Sequence, residues 1–355
     1  MAEKLHNMEN TVSSFQMRGI ISGTKSKRFY TSGTSKSGGT WNSVEFGVKI
    51  AENKTVFVTL KGFPRSEVFY YKPGEKGAKG TTQKVAWKDR KKSPGAGFRL
   101  IGVNISTGKD EDGKNINETM TELDAAEWIH NNLCDGDSVF IKGNLQFSSY
   151  TDRNGQVRKK TELVPTQISY TQKPVDFDTE DYVEMAEFEN TIVFSDIEQE
   201  LDENGKKSGR FILSGHSIGY NSVEAVSFII DAEHAKLASN LKKAMKPGYS
   251  IKTFGRMEVV VDTSSVQEDD SGWGETSPME RVNAPVRREY IVYRADPNSI
   301  EKEKYNEDDI AAAIRKINAA KNAERNFNGT TKGVTVEVEE DDWSLADDDS
   351  DNTPW

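Results

Sequence analysis

Aromatic rings interleaved with lysine and arginine are the groups of this sequence best suited to hold a ligand. Lys25, Lys27 and Arg28 run into Phe29 and Tyr30, and Trp41 follows a Ser/Gly-rich stretch. Phe63 and Arg65 precede Phe69, Tyr70 and Tyr71, and Trp87 stands among Lys84, Lys88, Arg90, Lys91 and Lys92. An unpaired nucleic-acid strand needs both partners: its bases stack on aromatic faces at about 1–3 kcal/mol each, while cations follow its phosphates. A duplex hides its base faces. Phe29, Phe63 and Phe69 have an alternative use as core residues behind a solvated rim of lysines. The Gly- and Lys-rich setting of Tyr70, Tyr71 and Trp87 makes burial the weaker account of those three.

Other groupings with catalytic spelling lack their context. Gly215-His216-Ser217-Ile218-Gly219 matches the nucleophile elbow of serine hydrolases, in which a serine sits on a strained turn between strand and helix, with an acid and a histidine downstream. Here a β-rich segment follows, and His234, on an expected helix, is the sole later histidine. The segment is therefore expected as a short loop between strands, and the chain as no enzyme. Gly33 to Thr40 has the glycine spacing of a phosphate loop but carries Gly39 where that loop needs lysine. His130 and Cys134 lie one helical turn apart with no further His or Cys nearby, so neither a metal nor another cofactor is expected. Cys134 is the single cysteine, which excludes an intrachain disulfide.

The charge is unevenly distributed. Residues 1–175 hold 27 bases and 18 acids, net +9; residues 176–333 are net -10; residues 334–355 hold nine acids and no base, giving -10 for the chain. A basic front on an acidic protein is the footprint of a polyanion site. The acidic end cannot build a core and is expected as a disordered tail whose Trp343 and Trp355 are available to a partner. No apolar run approaches the ~20 residues of a membrane span, and the N-terminus lacks a secretory signal, so a cytoplasmic protein without membrane contact is expected.

The elements that must position these groups follow from periodicity. Strands are expected at residues 11–22, 41–50, 55–60 and 98–106, then a helix at 121–133 and a hairpin formed by 138–151 and 157–171 around the Asp152-Arg153-Asn154-Gly155 turn. Residues 63–97, polar and rich in Gly and Lys, are expected as a functional or disordered loop. Strands, one helix and a hairpin make the five-stranded Greek-key OB barrel. After an acidic boundary at 176–187 the pattern returns. Residues 134–147 laid over 246–259 pair Gly136 with Gly248, Ser138 with Ser250, Gly143 with Gly255 and Leu145 with Met257, an internal repeat. The expected fold is mainly β, a tandem OB-fold: a DNA-binding barrel at 8–175, an OB-like domain at 187–300, an amphipathic helix at 306–326 and the tail at 330–355.

Residues 136–164 (GDSVFIKGNLQFSSYTDRNGQVRKKTELV) resemble the fourth-to-fifth strand region of bacterial and phage single-stranded DNA-binding proteins. The shared features are a Gly-Asp turn, alternating apolar residues, an aromatic before Thr-Asp, and an Arg-containing return strand. The acidic run closed by Pro354 and Trp355 is similar to that family's C-terminal tip, with Trp in place of Phe. The resemblance implies that Tyr150 stacks on a base and that Arg153, Arg158, Lys159 and Lys160 track the strand. It implies docking of replication and recombination proteins through Asp347, Asp348, Asp349, Asp351, Pro354 and Trp355. It also implies work in the bacterial cytoplasm as a host or phage protein, and, with two barrels per chain, a homodimer or a monomer. An RNA-binding OB protein is the nearest alternative, because nothing in these residues reads the 2′-OH.

Overall fold

Strict alternation of apolar and polar residues builds the first strand: β1 (Ser13–Ser22) buries Phe15, Met17 and Ile21 and turns Gln16 and Arg18 outward. The computed structural model describes residues 4–35, 38–75, 78–152, 156–201, 205–261 and 286–329. After β1 come β2 (Tyr30–Thr34), β3 (Thr40–Ala51) and β4 (Lys54–Gly62), an antiparallel run in which β3 pairs with its three neighbours. Residues 63–101 then leave the barrel. The expected loop is instead a three-stranded antiparallel sheet of β5 (Glu67–Lys72), β6 (Thr81–Ala86) and β7 (Arg99–Leu100), in the order β6-β5-β7. Short strands among lysines and glycines bury one face only, which is why their hydropathy does not announce them.

The chain returns through β8 (Val103–Lys109) and β9 (Asn115–Met120) into α1 (Glu122–Asn132). Thr121 caps that helix by accepting a hydrogen bond from the Asp124 amide at 3.2 Å. The long hairpin β10 (Ser138–Thr151) and β11 (Val157–Tyr170) completes the barrel, β10 pairing with β1 and β11 running parallel to β8.

The second barrel is β12 (Met185–Leu201), β13 (Lys207–Ile218), β14 (Val223–Ile230), α2 (Ala235–Ala244), β15 (Ser250–Val261) and β16 (Val286–Glu301). Its ladders run β13-β14-β16-β15-β12, with β12 also against β13, which closes the Greek key. The last helix, α3 (Glu307–Gly329), buries Ile310, Ala313 and Ile317 against Val193, Ile218 and Val223 of this barrel. Among the described residues no helix is long and apolar enough to cross a membrane.

The two barrels share one backbone plan. Ile21 N–H donates to Asp137 O at 2.8 Å and Gly136 N–H to Ile21 O at 3.0 Å; in the second barrel Phe194 donates to Tyr249 O at 2.7 Å and Gly248 to Phe194 O at 3.0 Å. Gly136 and Gly248 both take positive φ, +96° and +86°, at the turn after the helix, where a side chain would be strained. Phe15 lies opposite Gly143, and Phe188 opposite Gly255. A Cβ on either glycine would meet the phenylalanine ring and a carbonyl oxygen. β1 and β12 pair antiparallel with Phe15 directly opposite Phe188, so the barrels form one continuous sheet about a pseudo-two-fold at that point. The hairpin of the first barrel packs on the second: Phe147 meets Phe228 edge-on at 6.2 Å, and Phe228 stacks on Phe188 at 5.4 Å. The core is continuous across both barrels.

Candidate nucleic-acid interface

The outer surface of β2, β3 and β4 gathers the first group of aromatics and bases. β3 turns Val44, Phe46 and Val48 inward, and β4 turns Val56, Val58 and Leu60 inward, which leaves Phe57, Lys61 and Phe63 outside. Gly33 lies opposite Trp41, and the indole occupies the space that a Cβ on Gly33 would need, 2.8 Å from Cζ2. The glycine thus lets the ring settle against the sheet. Lys61 Nζ stands 4.3 Å from the Trp41 ring centre and 5.6 Å from that of Phe63, so a cation sits between two rings. Lys25, Lys27 and Arg28 are exposed on the loop before β2. Tyr30 is half-buried and stacked on His130 at 4.1 Å, which secures that loop to the end of α1.

The hairpin approaches the same surface. Tyr150 is directly opposite Arg158, and Ser148 opposite Lys160, so Tyr150, Arg158 and Lys160 share one face. Burial raises the pKa of Glu45 on β3; Lys160 and Arg28 pull it down, Glu162 pushes it up and Arg288 pulls it down, leaving it above its ordinary value. Glu45 is therefore where loop, hairpin and β3 converge. Arg158 is paired with Asp152 at 2.9 Å, and Lys160 with Glu162 at 2.9 Å. Lys159 points to the opposite face: burial lowers the pKa of His216 in the second barrel, and the Lys159 charge adds to that effect. Lys159 is thus exposed on the expected hairpin, on the other face from Tyr150 and Arg158. Arg153 lies outside the described residues, as do Asp347, Asp348, Asp349, Asp351, Pro354 and Trp355.

The insert sheet carries the remaining candidates and sorts them by face. Val68, Tyr70 and Leu100 turn toward α1, and Tyr70, 5% exposed, donates its hydroxyl to Arg90 O at 2.7 Å. Burial raises the Tyr70 pKa above its ordinary value. Tyr70 is thus a core residue of the insert and not an open stacking ring, contrary to expectation. Arg90 departs from expectation as well. Its guanidinium forks onto Asp124 with two 2.8 Å bonds and covers the Trp87 ring at 4.7 Å. Burial raises the Asp124 pKa, but the hydrogen bonds from Arg90 and Thr121 outweigh it and hold the carboxyl below its ordinary value. Arg65 reaches Glu122 at 3.2 Å and Lys91 reaches Asp124 at 3.9 Å, so three cations of the insert pair with the first turn of α1. Lys88, Lys91 and Lys92 remain exposed, the last beside Asp89 at 3.0 Å.

The opposite face of the insert sheet joins the expected aromatics Phe69 and Tyr71 to Arg99 and Ile101, which were not singled out in the sequence. Phe69, Tyr71, Lys84, Arg99 and Ile101 all lie there, Tyr71 42% and Ile101 58% exposed. The period-two alternation after Glu67 was the available signal. A cavity of about 450 Å³ between the insert and α1 is lined by Arg90 and Lys91 but also by Glu118, Asp124 and Glu127, a balance that does not favour an anion.

The catalytic spellings resolve structurally. Gly215 to Ile218 form the end of strand β13 and no elbow: Ser217 Oγ is 3.2 Å from Thr11 Oγ1, while His216 Nδ1 is 3.2 Å from Ser195 Oγ. Among the described residues no group of three or more His, Cys, Asp or Glu is arranged for a metal.

A family model described as YorF matches residues 72–329. Among the curated proteins none matches the chain in sequence. Of solved structures, the wild-type single-stranded DNA binding protein from Thermus aquaticus is similar at 8% identity, covering 81% of this chain and 93% of that chain, with a TM-score of 0.37. A deletion mutant of the same protein gives 10% identity, 81% and 94% coverage, and a TM-score of 0.36. The Plasmodium falciparum SSB complex with ssDNA gives 10% identity, 48% and 92% coverage, and a TM-score of 0.16.

Proposed function

We propose that this protein, which belongs to the YorF family, is a non-catalytic coat for single-stranded DNA that binds through its first barrel. The observation that carries this reading is the Trp41–Lys61–Phe63 arrangement, two rings and a cation on the outer surface of β3 and β4. Such a surface gains from unpaired bases and gains little from a duplex, whose base faces are covered. Arg28, Lys160 and the exposed lysines of the insert supply the phosphate contacts, so affinity falls steeply with salt. The acidic second barrel serves contact with proteins rather than with DNA. The Asp347–Trp355 segment is proposed to dock replication and recombination proteins, its carboxylates to lysine and arginine and its tryptophan to an apolar pocket.

The test is a titration of oligo(dT), the matching duplex and the matching RNA at two salt concentrations, read by tryptophan quenching. Oligo(dT) should bind at least about 100-fold more tightly than duplex. Equal binding of duplex would end the proposal. Tighter binding of RNA would move it to the 2′-OH-reading class.

A further inference from the structure

We propose that the outer face of the insert sheet is a second stacking platform for single-stranded DNA, separate from the barrel surface and lengthening its footprint; this rests on the function proposed above. Residues 63–101 contain ten bases and three acids, net +7, out of the +9 carried by residues 1–175. The barrel alone is close to neutral, so the insert is what makes this end of the chain a polyanion site. Its inner face already supplies the anchoring, through Val68, Tyr70 and Leu100 and the ion pairs Arg90–Asp124 and Arg65–Glu122. The aromatics on the outer face are not needed to hold the sheet in place.

Those aromatics are arranged for stacking. The Tyr71 ring lies against Gly80, where a Cβ would come within 2.5 Å of Cζ, and the residue stays 42% exposed. Phe69 is two residues away on the same face, with Lys84 Nζ 5.5 Å from its ring centre. Arg99 lies opposite Tyr71 and is exposed, while Lys84 is paired with Glu67 at 2.6 Å. Same-face residues on a strand are about 7 Å apart, roughly twice the ~3.4 Å rise per base of a stacked strand. The two rings therefore suit bases of a strand drawn out of its helical stack, which duplex DNA cannot offer. The link to the barrel surface is short: Phe63 ends that surface and Glu67 begins β5, at most about 14 Å along an extended chain.

The test uses the full chain and oligo(dT) of increasing length, with affinity followed by fluorescence anisotropy. Phe69→Ala with Tyr71→Ala should leave the shortest oligomers bound almost as in the parent. It should remove the gain with length, a loss of about tenfold or more on long oligomers. Arg99→Glu, which leaves the inner face intact, should weaken long-oligomer binding and flatten the dependence on salt by about one ion. Parent-like binding by both variants at every length would overturn the platform while leaving the barrel site standing. A parent that shows no preference for single strands would instead remove the function on which it rests. Hydrogen exchange of the Tyr70 amide in each variant separates loss of a contact from unfolding of the sheet.

Discussion

The two barrels carry the same backbone plan with opposite surfaces. Carrying the register from β1 and β12 outward through the ladders makes Trp41 equivalent to Ser208, Ser43 to Arg210, Lys61 to Asp231 and Phe63 to Glu233. Where the first barrel holds a lysine between two rings, the second holds an ion-pair network: Arg210 at 3.4 Å from Asp231, and Arg256 at 3.0 Å from Asp231 and 3.6 Å from Glu233. Arg210 and Arg256 are paired with the second barrel's own carboxylates, whereas Lys61 faces aromatic rings. The insertions differ in the same sense. Between β4 and α1 the first barrel runs through the three-stranded insert sheet and the hairpin of β8 and β9, while β14 passes to α2 through a single short 3-10 turn. A duplicated frame can keep its hydrogen bonds and still assign binding to one copy, because the outer residues of a half-buried strand are not constrained by the core.

The frame itself offers the largest effect. Gly143→Ala would put a Cβ 2.1 Å from Val164 O, and Gly255→Ala would put one 2.3 Å from Ile291 O. Each should cost about 3 kcal/mol, since a backbone oxygen in a ladder cannot move aside. Comparable falls in Tm for the two variants are expected, and a harmless change at one site only would break the equivalence. Next, Trp41→Ser with Lys61→Asp gives the first barrel the residues of the second. Single-strand affinity should fall on the order of 100-fold, combining one stacking partner and one reversed charge. Unchanged affinity would mean that the divergence of the two surfaces has no bearing on binding.

The attachment of the insert comes third. The Arg90 and Asp124 side chains are 23% and 13% exposed, so Arg90→Ala leaves a mostly buried carboxylate without its fork, at about 2 kcal/mol of local stability. Hydrogen exchange should accelerate across β5, β6 and β7 and stay unchanged in the second barrel. The Asp124 carboxyl is held below its ordinary value, so the stability it contributes is present above the unfolded pKa and is lost as pH falls through the lower, folded one. Protection of the insert in the parent should therefore decline below about pH 4, and Arg90→Ala should lack that step.

These contrasts were unequally legible in the sequence. α1 is readable because Leu123, Ala126, Trp128, Ile129 and Leu133 repeat at near-helical spacing. The long hairpin was readable from alternating residues around a glycine turn, and the repeat from glycines that both barrels need at equivalent positions. Tyr70 and Phe69 could not be assigned to faces from their own types, since Phe-Tyr-Tyr-Lys has an aromatic on each side of the strand. Val68, one residue earlier, shares the buried side with Tyr70 and was the weak signal. Arg90 reads in the sequence as a phosphate ligand because its partner lies 34 residues away, beyond any local pattern. The strands of the insert were hidden by their lysines, although it is those lysines that mark the insert as the basic part of the molecule.

The smallest expected effect tests whether charge alone tunes the first barrel. Glu45 is equivalent to Ile212, so the second barrel has no acid at that place. Burial, with Glu162 adding to it, raises the Glu45 pKa more than Lys160, Arg28 and Arg288 lower it, which means that the ionised form is disfavoured in the fold. For an acid with a raised folded pKa, stability falls as pH rises from the unfolded pKa through the folded one. Glu45→Gln should remove that decline and add less than about 1 kcal/mol at neutral pH. It also withdraws a negative charge from beside Lys160 and Arg28, so single-strand affinity should rise about two- to threefold at low salt, the gain shrinking as salt increases. A fall in affinity would show the carboxylate to be holding the two cations in place, and charge balance alone would then not account for the difference between the barrels.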